Sequence, residues 1–72
     1  MKCKCEFIKD KTGLYNANLY IGHEWINSIT ESTYEQLKSN LIKHKIYISP
    51  NTEKLLQCMS NYLECDGVYY KS

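Results

Sequence analysis

The sequence predicts a single small α+β domain in which an N-terminal β-hairpin packs on two helices. Apolar residues alternate at period two over the first twenty positions and recur at helical spacing from Tyr34 onward. A length of 72 residues leaves room for one hydrophobic core. The expected order is β-β-α-(β)-α-β, with residues 1–72 forming one interaction domain.

In the first strand Cys3, Cys5 and Phe7 fall on one side and Lys2, Lys4 and Glu6 on the other, the period of a half-buried strand. Asp10-Lys11-Thr12-Gly13 is a turn signal, with Gly available for positive φ. The return strand places Tyr15, Ala17, Leu19 and Ile21 inward and Asn16 and Asn18 opposite, and Gly22-His23-Glu24-Trp25 is expected to end it. Two overlapping capping boxes follow, Ser28-x-x-Glu31 and Ser32-x-x-Glu35, whose side chains can satisfy the orphan N–H groups of a helix start.

Helix one is expected from Thr30 or Thr33 to His44. Tyr34, Leu37, Leu41 and Ile42 form its apolar stripe, and Lys43, His44 and Lys45 suit the negative end of its dipole. Ile46-Tyr47-Ile48 is β-prone and stops at Ser49-Pro50, where Pro fits the first turn of a second helix. That helix is expected to carry Leu55, Leu56, Met59, Tyr62 and Leu63 and to end at Asp66-Gly67, leaving Val68-Tyr69-Tyr70 as a last short strand.

Composition narrows the function. The chain is 43% hydrophobic and 24% charged, within the range of folded globular proteins. A domain of this size buries only about 60% of its unfolded surface, so its stability is small. No apolar run approaches the roughly 20 residues of a membrane helix. Met1 to Glu6 alternates in polarity, unlike the apolar core of a signal peptide, and the expectation is a cytoplasmic protein with no membrane partner. The formal net charge is +1, and all nine basic residues are Lys. Without Arg there is no bidentate reader of guanine, which argues against sequence-specific DNA recognition. The excess of Lys, Asn, Ile and Tyr matches an AT-rich coding genome, as in low-GC bacteria and their phages.

Four cysteines invite a zinc reading, but Cys3-x-Cys5 and Cys58-x6-Cys65 lack the Cys-x2-4-Cys spacing of structural zinc sites. A disulfide between Cys3 and Cys5 would be strained, and seven residues of helix would hold Cys58 about 10 Å from Cys65. A strand-to-helix pairing is open geometrically, but a cytoplasmic chain keeps its thiols reduced. The four therefore read as small buried hydrophobes, with no metal or other cofactor expected. His23-Glu24 beside Trp25 could be imagined as a base with a stacking platform. No nucleophile is expected beside it, and the chain is too small to wall off a pocket of the usual ~300 Å³, so no catalytic residue is assigned.

Seven Tyr and one Trp point to an interface, because these side chains bring large contact area at low entropic cost. Tyr15, Tyr34 and Tyr62 fit core positions, whereas Tyr20, Tyr47, Tyr69 and Tyr70 have less obvious ones and either cover the edge of a small core or form an interface. Lys38, Lys43, Lys45 and Lys54 surround the link between the helices and could track a single-stranded backbone while Tyr47 stacks a base. The candidate binding residues are Tyr47, Tyr69, Tyr70, Lys43, Lys45 and Trp25. A protein partner is expected, single-stranded nucleic acid is the second option, and self-association is left open.

From Cys5 to Glu64 the chain runs strand, Asp10-x-x-Gly13 turn, strand, and then Leu37-x3-Leu41-x-x-His44. Ile46-x-Ile48-Ser49-Pro50 and Leu55-Leu56-x5-Tyr62-Leu63 follow. This order resembles the domain that precedes the ATPase core in primase-helicases of phages and mobile elements. In that family a glycine follows the Leu-x3-Leu helix, where this chain has His44 or Lys45. The chain has no Walker A loop, so the resemblance implies an accessory, non-enzymatic role in contacting a helicase, a primase or single-stranded DNA. The alternative expectation is a phage-encoded inhibitor of host defence, of the anti-CRISPR kind, that occludes a protein surface.

Overall fold

The structure is a computed structural model that describes residues 1–70. Its elements are β1 (Lys2–Lys9), β2 (Tyr15–Ile21), β3 (Glu24–Glu31), α1 (Tyr34–Lys43), β4 (Ile46–Tyr47), α2 (Pro50–Gln57) and β5 (Tyr62–Tyr69). The strands form one antiparallel sheet of order β3-β2-β1-β5-β4, with both helices on one face. The α+β class therefore holds, with the element order β-β-β-α-β-α-β.

The first hairpin follows the alternation closely. Cys5 pairs with Leu19 and Phe7 with Ala17, so the inward sets of β1 and β2 share a face. Its turn is fixed by the Asp10 carboxylate, which accepts from the Thr12 amide at 2.9 Å, the Thr12 hydroxyl at 2.6 Å and the Leu14 amide at 3.0 Å. Those bonds hold the Asp10 carboxyl below its ordinary range, Thr12 contributing most. Gly13 takes a φ of 88°, as the turn requires.

Two elements differ from expectation. Gly22-His23 ends β2 as expected but does not end the sheet. Gly22 has a φ of 65°, and the chain turns back as β3, a third strand paired with β2. Ser28 therefore lies in a strand and caps nothing. The cap of α1 is Thr33, whose hydroxyl accepts from the Gln36 amide at 3.2 Å, while the Ser32 hydroxyl bonds the Gln36 side chain. The segment from Trp25 to Thr30 holds Trp, two Ile and Thr, all strand formers. With β2 offering an unpaired edge, tertiary pairing prevails over the capping pattern.

The second difference lies at the other end. Helix α2 starts where expected, with the Ser49 hydroxyl accepting from Thr52 and Pro50 in the first turn, but it stops at Gln57. Tyr62 and Leu63 belong to β5, an eight-residue strand and not a helix end. Leu63, Cys65, Gly67 and Tyr69 alternate inward there, a period-two set hidden inside a plausible helical stripe. Pairing with β1 over seven residues outweighs one more turn of isolated helix.

Phe7 and Leu37 are fully buried, and Cys5, Leu41, Ile46 and Leu56 complete the centre of the core between sheet and helices. Gly67 lets β4 close onto β5: a Cβ there would lie 3.0 Å from the Tyr47 carbonyl oxygen and 3.4 Å from both Cys3 Sγ and Cys5 Sγ. At the end of α1, Lys45 takes a φ of 65°, the left-handed position usually filled by Gly. Lys38 and Glu53 join the helices at 3.1 Å on the surface. Among the described residues no helix is long and apolar enough to cross a membrane.

Candidate functional site

The face of the sheet away from the helices is uncovered, and its centre breaks a rule of strand pairing. Lys9 donates to Asn61 at 2.9 Å and Tyr69 donates to Met1 at 2.8 Å, so the odd-numbered residues of β1 and β5 exchange the backbone bonds. The even-numbered residues form the non-hydrogen-bonded pairs, where opposing side chains come closest. Glu6 opposite Glu64 is one of these pairs. Like charges directly across a ladder destabilise it.

A chain of hydrogen bonds holds these carboxylates in place. The Tyr62 hydroxyl lies 3.2 Å from Glu6 Oε2 and 3.0 Å from Glu64 Oε2, so a single proton is shared between two acceptors. Lys4 Nζ lies 3.0 Å from Glu64 Oε1. On the other side Asn18 donates to Glu6 at 3.2 Å, Ser28 donates to Asn18 at 2.5 Å, and the Trp25 indole N–H donates to Ser28 at 3.1 Å. The ladder thus spans β3, β2, β1 and β5. Its electrostatics follow from the contacts: the Lys4 ammonium holds the Glu64 carboxyl low, and the bond to Glu64 pushes the Tyr62 phenol up to about 12.

At the β4–β5 end of the sheet, the Tyr47 and Tyr70 rings meet edge to face with centroids 5.3 Å apart. The Tyr70 amide donates to the Lys45 carbonyl at 2.9 Å, which brings the α1–β4 turn to the same place. Tyr47 and Tyr70 are 42% and 57% exposed, and beside them a groove of about 360 Å³ runs past Tyr47, Ile48, Gly67 and Val68. Of the residues singled out in the sequence, Tyr47, Tyr70 and Lys45 come together, with Lys43 in the last turn of α1. Tyr69 points the other way and packs against the core opposite Ile46. Trp25, 55% exposed, lies on the opposite edge strand, β3.

The thiols separate into three and one. Cys3 and Cys5 are buried and Cys65 is half-buried, all on the helix-covered face, whereas Cys58 is exposed at the end of α2 with its thiol 3.1 Å from the Lys54 carbonyl. The expectation of four buried thiols therefore fails at Cys58, because α2 ends there instead of carrying it along a buried stripe. Cys5 faces Cys65 directly across the ladder. The hydrogen bond to Cys65 and burial push the Cys5 thiol up and keep it protonated. Burial likewise raises Cys3. No group of three or more His, Cys, Asp or Glu side chains has a metal-holding arrangement among the described residues. His23, in the β2–β3 turn, and His44, at the end of α1, are both exposed.

The sequence reading missed Glu6, Asn18, Tyr62 and Glu64 as a group. The outward register of Glu6 and Asn18 was legible, but assigning Tyr62 and Glu64 to a helix removed half of the site. Comparison with protein-family models, curated proteins and solved structures gives no match.

Proposed function

We propose that this chain is a non-enzymatic binding module whose partner is a protein, engaged through the open sheet face and the β4–β5 end. The observation that carries this is the Glu6–Glu64 pair. Two like charges face each other there at the closest pairing distance, and a four-strand ladder holds them in position on a surface that carries exposed Trp25, Tyr62, Tyr47 and Tyr70. Departures from pairing rules that the fold does not require are expected where a surface has a task. Carboxylates at the centre of the face repel phosphate, which favours protein over nucleic acid. The resemblance noted above adds the setting, an accessory factor of a phage or mobile element that contacts a helicase or primase. Occlusion of a host defence protein would use the same surface.

A second reading rests on the β4–β5 end alone, where Lys45 lies beside the Tyr47–Tyr70 pair and Lys43 stands in the last turn of α1, an arrangement suited to single-stranded DNA. Affinity for a single-stranded oligonucleotide at two salt concentrations separates the two. The protein reading expects no binding at low salt. Binding with a steep salt slope, flattened by removing Lys43 and Lys45 together, would establish the nucleic-acid reading in its place.

A further inference from the structure

The sheet has a gap along β5. Tyr69 donates its amide to β1, and Tyr70 donates to Lys45 on the β4 side, so the backbone of β5 alternates between the two neighbours. Odd-numbered residues face β1, and even-numbered residues face the β4 side. β4 consists of only Ile46 and Tyr47, paired with Tyr69 and Val68. The chain then leaves the sheet at Ser49-Pro50 to begin α2. Asp66 and Glu64 are the next two residues whose N–H and C=O point to that side, and among the described residues no strand, backbone group or side chain pairs with them there. Leu63 and Cys65, on the helix-covered face of the same stretch, are only half-buried, so α2 does not close the edge.

We infer that this edge receives an extended segment of a partner protein, which continues the course of β4 antiparallel to β5 and carries Lys or Arg at two alternate positions. The proposal deepens the protein-binding reading above and rests on it. An unpaired strand edge is a template for strand addition, in which main-chain bonds give affinity and alternate side chains give specificity. The side chains opposite Asp66 and Glu64 project onto the open face, where both carboxylates stand. Asp66 is exposed and has no ion pair among the described residues. On its other flank β5 already shows the preferred chemistry: Lys4 of β1 sits opposite Asp66 and bridges Glu64. The position between the two basic residues faces Cys65 and takes an apolar side chain.

A second copy of this chain does not fit the gap. Pairing β5 with itself about Cys65 would set Glu64 against Asp66 on both sides of the axis. The other edge strand, β3, is blunted by a bulge and by the Asn27 side chain, which accepts from the Ser28 amide at 2.9 Å.

The test uses the full chain and an acetylated, amidated peptide of sequence leucine-lysine-valine-lysine-valine, followed by amide NMR shifts and hydrogen exchange. In the free protein the Glu64 and Asp66 amides are expected to exchange fast while those of Cys65 and Leu63 are protected. Added peptide should shift and protect Glu64 and Asp66, with affinity that falls as salt rises. A peptide with glutamate in place of lysine should not bind, and Asp66→Lys should weaken the lysine peptide about fivefold or more. Slow exchange at Glu64 and Asp66 in the free protein would overturn the proposal, as would peptide shifts confined to β3 or equal binding of the glutamate peptide. These outcomes remove strand docking alone; the broader protein-binding reading fails separately, on salt-dependent oligonucleotide binding through Lys43 and Lys45.

Discussion

On one side of β1, Cys3, Cys5 and Phe7 pack with Leu37, Leu41, Ile46 and Leu56 into a dry apolar layer; on the other side of the same strand, Lys4 and Glu6 belong to a polar ladder open to water. The covered face is made mostly of groups that gain by leaving water, with Asn27 and Glu31 at its β3 edge. The open face is made of groups that gain from one another, and at its centre two carboxylates face each other, each held by its own partners. The covered face therefore accounts for the fold, and the open face has features that the fold does not need. Substitutions on the two faces should separate stability from binding.

The largest effect is expected on the covered face. Phe7→Ala removes a fully buried aromatic ring and should cost about 3–5 kcal/mol. In a domain this small that is comparable to the whole stability, so the variant should be largely unfolded by circular dichroism at room temperature. A folded Phe7→Ala chain would show that the apolar layer is not what holds the sheet.

Next comes Gly67, the one point where the covered face leaves no room for a side chain. A methyl group there would sit 3.0 Å from the Tyr47 carbonyl oxygen, which is backbone and can yield only if β4 moves away. Gly67→Ala should cost about 1–3 kcal/mol and loosen β4 first, seen as faster amide exchange at Tyr70. Unchanged thermal unfolding would mean that β4 is not closely held.

How much of this could be read from the sequence depends on whether a segment's period was forced by its neighbours in the chain. β1 and β2 were legible because alternation and an Asp-x-x-Gly turn occur together, and α2's start because Ser49-Pro50 marks it. β3 and β5 were not. The stretch from Trp25 to Glu31 satisfies a capping pattern as well as it satisfies a strand, and Leu55 to Leu63 satisfies a helical stripe. What decides both is the presence of an unpaired edge on β2 and on β1, which is a property of the assembled sheet. The candidate site shared the same fate: its four-strand ladder exists only once β3 and β5 flank the first hairpin. Lys45 and Tyr47 lie around one local turn, whereas Tyr70 reaches them only through the pairing of β4 with β5.

The capping residues give a smaller and sharper contrast. Thr33→Ala removes the hydroxyl that accepts from the Gln36 amide and should cost about 1 kcal/mol. Ser28→Ala lies on the open face, where it cuts the link from Trp25 to Asn18 without touching α1. It should leave the helix content unchanged while altering the fluorescence of Trp25, the only tryptophan in the chain. Equal losses of helix in the two variants would place the cap elsewhere.

The smallest expected change in stability is the one that bears most on function. Glu6→Gln keeps one oxygen to accept from Asn18, turns an NH2 toward the Tyr62 hydroxyl, which can then donate to Glu64 alone, and removes one of the two facing charges. If the pair opposes folding, the thermal midpoint should stay level or rise by at most a few degrees, and the difference should vanish near 1 M salt, where screening acts within about 3 Å. The Tyr62 phenol should move down from about 12, with the Glu64 bond still keeping it above its ordinary value. Glu64 supplies an internal check on sign. Its carboxyl is held low in the folded state, so its contribution is present above the ordinary carboxylate range and lost as the pH falls through it. Acidification should therefore weaken Glu6→Gln as it weakens the parent chain, because Lys4 still holds Glu64. Affinity for a basic partner segment should fall in the same variant, opposite in direction to its stability. A variant that lost stability and binding together would show that Glu6 serves the fold, and the distinction between the two faces would fail at its centre.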